Sequence, residues 1–171
     1  MTSILKVATI QKTNGSAPTL ADLSISHAGS VVQAQQYHRA GGLASTNPIA
    51  GLDHDNWTDI MSKTITTKLA SSKILVQVSI VAYNSSANIR GKARFYRDST
   101  IIDSDTYAFY GPSNTMSTYS LNVLDSPSAN AGTTLTYKLQ VVRNGSGTLT
   151  VGYGDGSGGA HASITLMEIV A

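Results

Sequence analysis

Apolar and polar residues alternate with a period of two through much of the chain beyond residue 73. Ile74, Val76, Val78, Ile80 and Ala82 alternate with Leu75, Gln77, Ser79 and Val81, which lines one side of a sheet with apolar groups. Leu135, Tyr137, Leu139 and Val141 repeat the pattern against Thr136, Lys138, Gln140 and Val142. Near the C-terminus, Ile164, Leu166 and Glu168 oppose Ser163, Thr165, Met167 and Ile169. Gly91 to Tyr96 and Thr100 to Asp105 predict a hairpin around Asp98-Ser99, and Tyr107 to Tyr110, Thr118 to Leu124 and Thr148 to Tyr153 predict further strands. Upstream, Ile4–Gln11 and Val31–His38 alternate in the same way, and Trp57 opens a segment that runs through Ile60, Ile65 and Leu69.

The breaks between these runs set the organisation. Thr13-Asn14-Gly15-Ser16-Ala17-Pro18 and Ala28-Gly29-Ser30 are rich in turn residues. They divide an N-terminal anchor and linker, residues 1–29, from a main domain, residues 30–171. Arg39 to Asn56 is a long Gly/Ala/Ser/Asn/Pro connection, longer than compact domains usually carry without regular structure, which points to a functional role or a contact. Nine or ten strands result, about eight of them after Ser30. The expected fold is an all-β, antiparallel two-sheet jelly-roll sandwich.

Composition changes the picture in one respect. Charged residues are only 13% of the 171, about half the usual globular share, so Ser, Thr, Asn, Gln and Gly must carry the surface. Such a surface is common in secreted or particle-bound β proteins and offers little electrostatic resistance to self-association. A formal net charge of +2, with scattered Lys and Arg, predicts no nucleic-acid partner. No run approaches the length of a membrane helix, and the first residues lack the apolar stretch of a secretory signal. Synthesis in a cytoplasm without signal-directed export is the expectation, and a virus particle released by lysis fits it. With no cysteine, disulfides and thiolate metal sites are excluded.

Candidate chemistry is sparse. Asp53-His54-Asp55 is the densest cluster of potential metal ligands, with His38 or His161 to complete a shell. Consecutive residues of an extended segment point in opposite directions, so a polar loop tip is the better reading and no metal is expected. Asp103 and Asp105 share a face on a strand, yet solvated carboxylates there more simply keep an edge soluble than cleave glycosides. Gly154 to Gly159 lacks the lysine and the helix of a phosphate-cradling loop. No cofactor and no catalytic residue are expected. Eight tyrosines against two phenylalanines favour surfaces that meet a partner, with Trp57, Tyr107, Phe109, Tyr110 and Tyr119 the candidate surface or interface positions.

Four blocks in order resemble one family. Ile4-Leu5-Lys6-Val7-Ala8-Thr9-Ile10-Gln11 resembles the N-terminal segment of structural proteins of marine (cyanophage-like) tailed phages. Arg94-Phe95-Tyr96-Arg97-Asp98-Ser99-Thr100 is similar to the central hairpin of their C-terminal domain, Leu124-Asp125-Ser126-Pro127 with Thr133 to Gln140 to the next block, and Ala162 to Ile169 to the closing strand. The resemblance implies a trimeric jelly-roll head like those of the tumour-necrosis-factor and complement types, in a non-enzymatic virion component: a compact tail fibre or knob. A capsid decoration protein and a carbohydrate-binding receptor module are the alternatives. Ile4, Leu5, Lys6, Val7 and Ile10 would dock on the particle. The partners implied are further copies of the chain, other tail or capsid proteins of the phage, and a host-surface glycan. Only Lys12 to Gly29 separates anchor from head, which favours a knob over a long fibre.

Overall fold

A computed structural model describes residues 28–39, 57–85, 90–144, 148–152 and 162–171. Among them the chain forms nine strands: β1 Val31–Arg39, β2 Thr58–Thr66, β3 Lys73–Asn84, β4 Arg90–Arg97, β5 Thr100–Tyr110, β6 Thr115–Asp125, β7 Thr134–Asn144, β8 Leu149–Val151 and β9 Ala162–Ile169. The first sheet runs β1-β9-β3-β6, with β8 also paired to β3, and the second runs β2-β7-β4-β5. Every pairing is antiparallel. Early and late strands interleave in both sheets, which makes this a jelly-roll sandwich.

The period-two rows read from the sequence are the core. Ile74, Val76, Val78, Ile80 and Ala82 of β3 meet Leu135, Tyr137, Leu139 and Val141 of β7, and Ile164 and Leu166 of β9 join them. Glycine is required where β4 passes Phe109 of β5 and Leu149 of β8. A Cβ on Gly91 would stand 2.5 Å from Cδ2 of Phe109 and 2.6 Å from Cδ2 of Leu149. The ring of Phe109 packs edge-on against Tyr119, with centroids 4.9 Å apart and planes at 80°.

Three expectations change. The two short strands expected at Thr100 to Asp105 and Tyr107 to Tyr110 are one strand, β5. Register shifts between β4 and β5 absorb the break in alternation that the sequence shows there. The segment opened by Trp57 stops at Thr66, because the amides of Lys68 and Leu69 turn to donate to the Glu168 carboxylate. Among the described residues of the Thr148 to Tyr153 segment, three form β8, and Tyr153 lies outside them. Residues 1–27, Asp53-His54-Asp55, His161 and the Gly154 to Gly159 connection lie outside the described residues.

Candidate functional site

Antiparallel register turns sequence alternation into rows across a face. On the outer side of the first sheet, Ala34 pairs with Met167, Met167 with Leu75, and Leu75 with Leu124, an apolar row across all four strands. The next row is Gln36, Thr165, Gln77 and Asn122, and the one after it His38, Ser163, Ser79 and Ser120. Tyr83 pairs with Met116 at the far end of β6. Leu124 is 53% exposed and Met116 54%. At the outward positions of β9, β3 and β6 no described side chain is acidic, and the one cation is Lys73.

The second sheet presents a different surface. Outward on its central strands stand Arg90, Lys92, Arg94 and Tyr96 of β4 and Lys138 and Gln140 of β7. The Arg94 guanidinium lies 4.0 Å from the centroid of the Trp57 ring and 5.0 Å from that of Tyr96. Its Nε donates to Oε1 of Gln140 at 2.7 Å, and Nε2 of Gln140 donates to Asp59. The Lys138 ammonium sits 5.6 Å from the Tyr96 ring and 3.6 Å from the Asp59 carboxylate. At the edge, Arg90 lies 5.8 Å from the ring of Tyr110, which is 63% exposed.

Buried ionisable groups hold the sandwich at the end where β2 turns into β3. The Glu168 carboxylate, in the inward row of β9, is fully buried. It accepts from the amides of Lys68 and Leu69 at 2.9 Å, from the Ser72 hydroxyl at 2.7 Å and from Nε2 of Gln33 at 2.6 Å. Burial alone pushes this carboxyl upward. The donors Leu69, Ser72, Lys68 and Gln33 together outweigh burial and hold it below its ordinary value. Across the core, Nη1 of Arg97 on β4 donates to both oxygens of Asp125 on β6 at 2.9 and 2.8 Å, tying one sheet to the other. Tyr137 donates to the same carboxylate at 2.7 Å, and burial, reinforced by Asp125, pushes its phenol upward.

The expected surface aromatics therefore separate. Trp57 is half-buried in the cation cluster, and Tyr110 is exposed on the edge strand β5. Tyr119 is half-buried with its hydroxyl donating to the carbonyl of Tyr110 at 3.0 Å. Tyr107 lies on β5 opposite Lys92. Phe109, 1% exposed, belongs to the core rather than to a surface. Ile4, Leu5, Lys6, Val7 and Ile10, expected from the sequence to form an anchor, lie outside the described residues. Sequence reasoning missed the two carboxylate clasps, although an acid in register with Ile164 and Leu166 was a signal for the first. It also missed Arg94 and Lys138 over the rings; Arg90, Lys92 and Arg94 at alternate positions of β4 signal cations on one face, but not the rings they meet.

No protein-family model and no curated protein matches the chain. Among solved structures, the chain is similar to a chain of T=1 particles derived from infectious bursal virus, at 16% identity and a TM-score of 0.45 over 83% of this chain and 37% of that one. It is also similar to the Eiger tumour necrosis factor of S. frugiperda, at 13% identity and a TM-score of 0.44 over 80% and 92%. A third is latent dimeric PorU of Porphyromonas gingivalis, at 14% identity and a TM-score of 0.47 over 95% and 14%. The chain thus spans well under half the length of the viral chain.

Proposed function

We propose that this chain is a non-enzymatic structural protein of a bacteriophage particle, a compact tail fibre or knob whose jelly-roll head assembles into a homotrimer. One observation carries the reading: the outer face of the first sheet crosses four strands with an apolar row and rows of amides and hydroxyls, and its described outward positions on β9, β3 and β6 hold no acid. A face of that kind, with Leu124 and Met116 more than half exposed, gains by covering itself, whereas a monomer leaves it in water. A cyclic trimer needs two different patches on each copy. The second is at the open side edge, where Tyr119, Leu121 and Val123 of β6 are only partly buried and Ile101 and Tyr110 of β5 are exposed.

The non-enzymatic part rests on how the buried acids are used. The carboxylates of Glu168 and Asp125 are engaged by donors of the fold itself, which suits a structural role. Asp103 is exposed, as a solubilising edge acid would be. Attachment is assigned to Ile4, Leu5, Lys6, Val7 and Ile10 by the resemblance of that segment, through addition of a strand to a partner's sheet in the tail or capsid, where backbone hydrogen bonds supply the affinity. Mass spectrometry of purified particles from an infected culture tests the reading. The chain should be present at a fixed copy number per particle that is divisible by three, and lost when residues 1–11 are deleted. Its absence from particles while abundant in the lysate would overturn the reading.

A further inference from the structure

We propose that the outer face of the second sheet is a binding site for an acidic polysaccharide, with the carboxylates of the sugar chain received along β4 and β7. Charge complementarity carries the assignment. Arg90, Lys92 and Arg94 occupy successive outward positions of β4, about 7 Å apart along the strand. Lys138 stands beside them on β7, opposite Tyr96. The outward positions of these two central strands hold no acid, whereas the acids of this sheet lie on its margins, Asp59 on β2 and Asp103 and Asp105 on β5. A polyanion laid along β4 therefore meets a row of cations, with the exposed Asp59 on the β2 flank already holding Lys138 at 3.6 Å and accepting from Gln140.

The geometry of Arg94 narrows the ligand. Held between the Trp57 and Tyr96 rings and anchored at Nε by Gln140, its guanidinium plane is pre-set, so little side-chain entropy is lost when its fork takes a planar carboxylate. Single-stranded nucleic acid is disfavoured because base stacking needs ring faces, and these rings already have cations against them. Thr134 and Thr136, outward on β7 beyond Lys138, provide hydroxyls that can bond to sugar hydroxyls beside the charges. The centre of the site lies on the opposite side of the sandwich from the apolar row of the first sheet, and only Arg90, over the Tyr110 ring, adjoins the second trimer patch.

Trp57 is the chain's one tryptophan, so its emission reports on the site directly. Titrating the purified full-length protein with alginate oligosaccharides should change that emission saturably, and affinity should fall as salt rises. Arg94→Gln should weaken binding at least tenfold and Lys138→Gln several-fold, while Lys73→Gln on the other sheet leaves it unchanged. Lys138→Gln decides the matter if Arg94→Gln folds poorly. Four results would each overturn the proposal: no saturable response to alginate, an equal response to neutral dextran, binding of dextran sulfate without alginate, or tighter binding of oligo(dT). Unchanged affinity in both site variants would do so as well.

Discussion

The two outer faces of this sandwich are made from the same kind of strand over one shared core, yet they carry opposite surfaces. On the first sheet the outward rows run Ala34, Met167, Leu75 and Leu124, then amides, then hydroxyls. On the second, cations stand on the central strands and lie over Trp57, Tyr96 and Tyr110. Inward positions of both sheets are constrained by packing, so they look alike; outward positions are free of that constraint, so their difference reflects what each face meets. A face with a single cation and no acid at its described outward positions on β9, β3 and β6 suits a permanent partner of its own kind. A face of ordered cations suits a charged and exchangeable one.

Changes to the shared core should abolish both faces together. Val78 is 1% exposed at the centre of β3. Val78→Asp places an unpaired carboxylate there, at a cost of at least about 4 kcal/mol, and should leave no cooperative unfolding transition by circular dichroism. A folded Val78→Asp protein would mean that the β3 row is not the core it is described to be.

The next largest effect separates the clasp from the faces. Glu168→Gln keeps the shape of the side chain but loses charge-assisted bonds from Lys68, Leu69 and Ser72, a loss of about 2–3 kcal/mol at neutral pH. Because the folded-state value of Glu168 is depressed, its contribution is present above the ordinary carboxylate range and is lost as pH falls through the folded-state value. Urea unfolding of native and variant protein at a series of pH values should therefore show a gap that is full at pH 7 and closes in acid. A gap that widens in acid would contradict the assignment. Arg94→Gln should have the smallest effect on folding, about 1 kcal/mol by the same measurement, since it removes half-buried cation–ring contacts and leaves the core untouched.

What the sequence disclosed follows the same division. The rows Ile74 to Ala82 and Leu135 to Val141 were legible because a half-buried strand writes its burial directly as alternation. The β4–β5 hairpin was legible from Asp98-Ser99, and Asp98 does adopt a positive φ of 52° at that turn. The unity of β5 was hidden, since the register shifts break its period and no glycine or proline within β5 itself marks them. The Glu168 clasp was half hidden: the acid in an apolar row could be seen, but two of its donors are backbone amides, which every residue type except proline supplies. Arg94 between Trp57 and Tyr96 was out of reach, because it depends on cross-strand register between segments far apart in the chain.

The central claim is that the acid-free, largely uncharged face of the first sheet closes a trimer, and sedimentation velocity of the full chain at micromolar concentration tests it most directly. The native protein should sediment as a single species of three times 17.9 kDa. Leu124→Glu or Met116→Glu, each placing a charge on that face at an exposed position, should convert it to monomer with the same far-ultraviolet dichroism, whereas Arg94→Gln on the other sheet should leave the trimer intact. A native protein that stays monomeric at every concentration, or a trimer indifferent to both glutamates, would contradict the claim.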